Sequence, residues 1–282
     1  MSLLKNDIKK KINVIILCAG EGTRLKRITK TIPKPLIKIE SVTNNTILNH
    51  IINGLTNLEI NQIAIVIGYL GDIIRKYISL LIKNNSSLQD KLIIVNAENQ
   101  YKLGPLYSFL SITKNKSFFK PNNYYILIPG DTIFDINILK EILFIISNNY
   151  QLVHEHPFVF YRNIELSTPT RIFRRKRLIS NAKVENFGAG IILHKISQVQ
   201  LKNILSKDVI HQIVPIFILS YNFINKILNL KSEIPVNTVW ETLNYMITNK
   251  NKIFAFEIEN KYYFYDIDNK SDLINLKKKR GQ

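Results

Sequence analysis

The stretch Ile15-Ile16-Leu17-Cys18-Ala19-Gly20-Glu21-Gly22-Thr23-Arg24-Leu25, followed by Pro33-Lys34-Pro35-Leu36, decides the reading of this chain. Asn13 to Cys18 has the composition of a parallel strand buried on both faces, closed by glycine. The run breaks into a turn with two glycines and an arginine, and a lysine confined between prolines follows. A triphosphate asks for such an arrangement. Glycines let backbone N–H groups come close to phosphate oxygens, and fixed cations take up their charge. Gly20 and Gly22 lack the third glycine of a dinucleotide fingerprint, and no Gly-Lys-Ser/Thr follows, so neither that motif nor a Walker A loop fits.

Working outward, helical spacing over 47–55 leads to a second buried strand over 62–68, and a helix is expected over 72–83. A third strand over 91–95, a helix over 106–113, a fourth strand over 124–128 and a helix over 136–146 continue the alternation. Strands alternating with helices imply crossover units and a parallel sheet covered on both sides. Past residue 150 the pattern changes to shorter, partly antiparallel strands around 158–161 and 191–193. Helical segments are expected over 209–228 and 239–248, β-structure over 253–258 and 262–265, and a last helix over 272–279 capped by Ser271. No Pro/Gly/Ser linker separates the halves. The expectation is one domain over 1–282, with a nucleotide-binding half over about 1–150 and an acceptor-binding half over about 151–282.

Composition narrows the class. A hydrophobic content of 46% over 282 residues suits a folded chain with a substantial core and argues against disorder. No apolar stretch is long enough to cross a bilayer, so membrane insertion is not expected. A single cysteine, Cys18, excludes an internal disulfide framework and a multi-cysteine zinc site, and points to a cytoplasmic protein. The net charge of +18 is spread along the chain, which draws in anionic substrates. One basic cluster, Arg171, Arg174, Arg175, Lys176 and Arg177, reads as a solvated turn, a phosphate-facing lid or a nucleic-acid contact. Base-stacking aromatics are sparse beside it, which disfavours the last.

The segment Gly20-Glu21-Gly22-Thr23-Arg24-Leu25 with Pro33-Lys34-Pro35 resembles the signature of the nucleotidyltransferases that activate sugar phosphates and phospho-alcohols. The resemblance implies a Rossmann-like three-layer α/β/α fold with a mixed, mostly parallel central sheet and a smaller β-rich acceptor-binding part. It also implies the catalytic module alone, since the hexapeptide β-helix many relatives carry is absent. The reaction implied is in-line displacement at the α-phosphorus of a nucleoside triphosphate by a phosphate oxygen of the acceptor. A phosphomonoester is largely dianionic at neutral pH, so no general base is needed. That agrees with the lack of a Ser/His/Asp or Cys/His set among five histidines and one cysteine.

Arg24 can hold phosphate oxygens with its guanidinium fork, and Lys34 is the second cation; the resemblance gives both the neutralisation of transferring and leaving phosphates. Leu17, Ala19, Gly20, Glu21, Gly22 and Thr23 form the strand end and loop that would cradle the triphosphate. Asp131 ends a buried strand as Ile128-Pro129-Gly130-Asp131, where open α/β sheets place their sites, and the resemblance makes it a Mg²⁺ ligand. Tyr265-Asp266-Ile267-Asp268 resembles the family's closing Asp-x-Asp, so Asp268 or Asp266 is the second metal ligand. Gly104 and Ser108 stand where relatives meet nucleobase and ribose. The Gly104-Pro105 pair departs from the sugar-type loop toward cytidylyltransferases of phospho-alcohols, which favours CTP over UTP, dTTP or GTP. Lys183 looks like the lysine that grips the acceptor phosphate, though Val184 replaces the proline after it, and Gly188 would let backbone approach the acceptor. The partners expected are an NTP and a phosphorylated sugar or alcohol, with a homo-oligomer left open. Two other classes stand beside this: a non-catalytic regulatory subunit, which would be expected to have lost one of these charged groups, and a nucleic-acid-binding protein.

Overall fold

The computed structural model describes residues 11–39, 45–58, 60–165, 178–200, 209–267 and 272. The basic cluster 171–177, Asp268, Ser271 and the body of the expected last helix lie outside the described residues.

Strand β1 (Ile12–Cys18) is the buried run of the opening motif, and it pairs in parallel with β2 (Ile63–Ile67) and β4 (Tyr124–Pro129). β3 (Leu92–Asn96) adds to β2, so the first half forms a parallel run β3-β2-β1-β4. Its strands read as continuous apolar runs because side chains of both parities are buried: Val14 and Ile16 join one apolar cluster and Ile15 the other. Helices α1 (Ile47–Thr56), α2 (Gly71–Asn84) and α4 (Ile136–Asn148) supply the first cluster. Helix α3 (Pro105–Leu110) supplies the second, where the helix expected to reach 113 continues as a 3₁₀ turn over Ser111–Lys114. Thr46 caps α1 by accepting from Asn49 N at 3.1 Å, a bond worth about 1 kcal/mol.

Beyond β4 the sheet continues through strands that are mostly antiparallel. These are β6 (Phe158–Glu165), β7 (Leu178–Phe187), β8 (Gly190–Gln200), β9 (Val209–Ser220) and β10 (Phe254–Glu257). The nine-stranded order is β3-β2-β1-β4-β9-β6-β10-β8-β7. A separate two-stranded sheet joins β5 (Thr132–Phe134) to β11 (Phe264–Asp266). The mostly parallel sheet expected is therefore corrected. Among the described residues, parallel pairing holds for β1, β2, β3, β4 and for β6 with β10, and antiparallel pairing for the rest.

The helix expected over 209–228 is also corrected. Val209–Ser220 is a twelve-residue strand at the middle of the sheet, and the helix α6 (Tyr221–Leu230) starts only after Ser220. The run 213–219 is apolar throughout because the strand is buried on both faces, and such a run carries no period. Pro215 is tolerated because the register with β6 jumps from Val159–Phe217 to Phe160–Val214, leaving Pro215 and Ile216 in a bulge. Helix α5 (Tyr150–Glu155) follows α4, and helix α7 (Val239–Thr248) follows α6.

One pairing shapes the second half. β6 takes one edge of β9 from Ile218 to Val209, so β4 and β7 must share the other edge. β4 holds it over Phe217–Ser220, and β7 takes it at Gln212, opposite Asn181. Strands β9, β6, β10, β8 and β7 thus close on themselves, with β7 standing where β4 leaves off.

Candidate active site

The loop after β1 folds back on itself. Gly22 has φ +63, and its carbonyl accepts from Leu25 N at 2.9 Å and from Thr29 Oγ1 at 3.0 Å. A side chain at Gly22 would meet the Thr29 methyl at 2.9 Å, so both φ and space require glycine. Ala19 is buried, with its carbonyl bonded by Tyr69 N at 3.1 Å, whereas Gly20 and Glu21 are exposed. Thr23 and Arg24 open a 3₁₀ turn, Thr23–Leu25, with both side chains exposed.

Lys34 begins a second 3₁₀ turn, Lys34–Leu36, between Pro33 and Pro35, and its stem is buried beside Gly22. Its ammonium donates to Asp131 Oδ2 at 2.6 Å, closing a charge-assisted bond across 97 residues of sequence. The two ends differ: the Lys34 side chain is 10% exposed and that of Asp131 38%. Asp131 is delivered by a tight connection between β4 and β5, where Gly130 N donates to Leu17 O at 2.9 Å. A Cβ at Gly130 would lie 2.5 Å from Cys18 Sγ, so the connection can pass only as glycine. Burial, and then the negative charge of Asp131, push the Cys18 thiol far above its ordinary range, which makes it a packing residue and not a nucleophile.

The second carboxylate arrives on β11. Asp266 pairs with Thr132 and accepts from Thr132 Oγ1 at 2.5 Å, while Ile267 N donates to Asp131 O at 3.3 Å. Asp131 and Asp266 are thus brought to neighbouring positions by backbone and side-chain bonds. Both offer carboxylate oxygen, and no group of three or more His, Cys, Asp or Glu surrounds them among the described residues. Mg²⁺ is commonly held by one or two carboxylates with the substrate's phosphates and water completing its shell, so this donor set fits it.

The remaining expected residues are placed as follows. Gly104 abuts Asn237, whose carbonyl accepts from Leu106 N at 2.8 Å, and the buried Ser108 hydroxyl donates back to Gly104 O at 3.3 Å. Ser108 therefore braces the loop from behind. Lys183 is exposed on β7, directly opposite Lys195 of β8. Gly188 sits at the exposed β7–β8 turn with φ +58. A cavity of about 420 Å³ lies between β8 and α7, lined among others by Lys195, Val236, Trp240, Glu241 and Tyr245. None of Arg24, Lys34, Asp131 or Asp266 lines it; it adjoins the loop through Val236, next to Asn237, and β7 through Lys195. Sequence reading missed Thr132, Asn237 and Arg162 as members of this neighbourhood. A polar residue beside Asp131 was a signal for Thr132, but no local pattern marks the other two.

A buried strand, a glycine loop and an acidic and a basic group meeting at the strand ends define an α/β protein with a candidate active site at those ends. Residues 13–153, half of the chain, match the nucleotidyl transferase family, and the chain belongs to that family of enzymes. It is 41% identical over 70 residues to a 2-aminoethylphosphonate cytidylyltransferase of Lancefieldella rimae, covering 25% of this chain and 27% of the relative. It is 31% identical over 129 residues to a D-glycero-alpha-D-manno-heptose 1-phosphate guanylyltransferase of Campylobacter jejuni, covering 46% of this chain and 52% of the relative. The matched stretches thus span about a quarter to a half of these relatives. The fold is similar to that of a UDP-glucose pyrophosphorylase solved with UDP-glucose, with TM-score 0.69 and 16% identity over 95% of this chain and 98% of the other.

Proposed function

We propose that this protein is a cytoplasmic, Mg²⁺-dependent nucleotidyltransferase that moves a nucleoside monophosphate from an NTP to the phosphate of a phospho-alcohol or sugar phosphate. It would do so in a single Rossmann-like three-layer domain, with CTP as the favoured donor. The observation that carries the reading is the Lys34–Asp131 contact beneath the glycine loop, with Asp266 fixed alongside. In the reaction, an oxygen of the acceptor phosphate forms a bond to the α-phosphorus while the bond to the β-phosphate oxygen breaks. Pyrophosphate leaves with that electron pair, and no proton need move.

Arg24 and Lys34 are assigned to the phosphates. An ammonium has three donors, so Lys34 can keep one on Asp131 and present others to a phosphate oxygen. The backbone of Ala19 to Thr23 would cradle the triphosphate, with Leu17 at the strand end, and the loop at Gly104 and Ser108 would meet the nucleoside. Asp131 and Asp266, with Asp268 as the alternative second ligand, would hold Mg²⁺, which when bound supplies neutralisation of the phosphate charge. Lys183 and the Gly188 turn are assigned to the acceptor. Similarity to a cytidylyltransferase supports CTP, and the guanylyltransferase similarity keeps sugar phosphates in the range of acceptors.

Pyrophosphate release from the four NTPs, each against sugar 1-phosphates, phosphocholine and aminoethylphosphonate, tests this reading. Release with at least one pair, abolished in Asp131→Asn and Arg24→Ala, is expected. Full turnover in either variant overturns the assigned role. Tight NTP binding with no release for any acceptor would favour the non-catalytic alternative.

A further inference from the structure

We infer that Arg162 is a positioning residue for Asp266, clamping β11 against the main sheet so that the carboxylate stays beside Asp131. The inference rests on the proposed metal role of Asp266. Strand β11 is three residues long and pairs with β5 in a two-stranded sheet apart from the nine-stranded one. Three pairs of residues are a weak hold for a metal ligand at the strand's last position. Arg162 supplies a second hold. Its Nη1 donates to Tyr262 O at 3.0 Å, and its guanidinium lies 4.3 Å from the ring centre of Phe264. Its Nε donates to Gln212 Oε1 at 2.9 Å. The same planar group therefore grips the chain entering β11 and is itself anchored to β9.

Phe264 and Asp266 share one face of β11, with about 7 Å between their Cα atoms, so fixing the ring fixes the carboxylate's approach. Gln212 is also the residue that β7 pairs with through Asn181. Arg162 thus links the strand carrying Asp266 to the place where the acceptor-side hairpin docks. Lysine cannot replace it: an ammonium neither spreads a planar group over Phe264 nor divides its bonds between Gln212 and Tyr262 in that fork geometry.

The test uses the full chain and variants Arg162→Met, Arg162→Lys and Asp266→Asn, with Mn²⁺ as the probe. Free Mn²⁺ is counted by its EPR signal during titration, and melting curves check the fold. Both arginine variants are expected to weaken Mn²⁺ binding about tenfold and to raise the half-saturating Mg²⁺ for pyrophosphate release by a similar factor. At saturating Mg²⁺ their KM for the NTP should stay near that of the parent. A purely structural role would instead lower melting temperature and turnover together, with no dependence on metal concentration, and that result overturns the inference. Parent-like Mn²⁺ binding in folded Arg162→Lys or Arg162→Met, with loss in Asp266→Asn, overturns it while leaving the metal assignment standing. Parent-like Mn²⁺ binding in Asp266→Asn overturns the metal assignment and the inference with it. Should Arg162→Met fail to fold, Arg162→Lys decides.

Discussion

Breaking the Lys34–Asp131 contact should have lopsided consequences, because its two ends are buried to different degrees. At 2.6 Å the pair is in direct contact, with the lysine side chain 10% exposed and the aspartate 38%. Replacing Lys34 by Met keeps the stem's packing and leaves a carboxylate that water can reach, at a cost of about 1 kcal/mol. Replacing Asp131 by Ala takes one acceptor from an ammonium that water reaches poorly, at a cost of about 2–4 kcal/mol. The double variant removes both charges and should recover part of the loss, giving a coupling of about 1–3 kcal/mol, between the values for exposed and fully buried pairs. Urea unfolding of the four proteins, followed by circular dichroism at pH 7, measures this cycle. A coupling below about 0.5 kcal/mol, or Lys34→Met proving the costlier single change, would refute the reasoning.

Three further outcomes follow from the same geometry. Cys18 should resist a disulfide reagent at pH 8 in the folded protein and react fully once unfolded, since burial and Asp131 hold its thiol protonated; rapid labelling of the native chain would show that β1 opens easily. Tyr125, buried, donates to Phe118 O and accepts from Lys120 N, and burial pushes its phenol up to about 12. A raised folded-state value means that this stability is complete below the unfolded pKa of about 10 and fades as pH climbs toward 12, so alkaline unfolding should set in there and be blunted in Tyr125→Phe. If the cavity beside α7 receives the acceptor's alcohol, Trp240→Ala should raise the acceptor KM about tenfold and leave the NTP KM unchanged, as steady-state kinetics would show.

Much of the first half was legible because local rules and tertiary demands agree there. Buried parallel strands need apolar residues on both faces, and a glycine or polar residue must end them where the site begins; β1, β2 and β4 follow that rule. The second half conceals its order. β9 is equally apolar, but neither face alternates, and only Pro215 with the abundance of β-branched residues hinted at strand. The charged residues at 24, 34, 131 and 266 could be picked out singly by type and spacing. Their pairing could not, since Lys34 meets Asp131 across 97 residues and Asp266 meets Thr132 across 134. Arg162 carried no signal at all: an arginine at the end of the apolar run Phe158–Tyr161 reads as a solvated side chain until Phe264 and Tyr262 are folded onto it.

The proposed acceptor half also accounts for a lysine far from the glycine loop. β4 leaves β9 opposite Phe217 and β7 meets it opposite Gln212; with Pro215 and Ile216 taken up in the bulge, this is the span from Val159 to Arg162 on β6, about 10 Å at strand rise. Asp131 lies four residues past Leu127, at most about 14 Å along the same direction, because the chain leaves the strand after Pro129. Asn181 and Lys183 therefore bracket the level of Asp131, on the edge that β4 vacates. β7 runs parallel to β4, because both are antiparallel to β9, so Lys183 lies about 7 Å further out. A phosphate held there would face one held by the loop, which is the relation in-line attack needs. On this argument Lys183→Ala should raise the acceptor KM and spare that of the NTP, whereas Arg24→Ala should lower kcat with either substrate saturating. Loss of NTP affinity in Lys183→Ala would mean that β7 borders the donor phosphates instead, and that the assignment of the two halves must be exchanged.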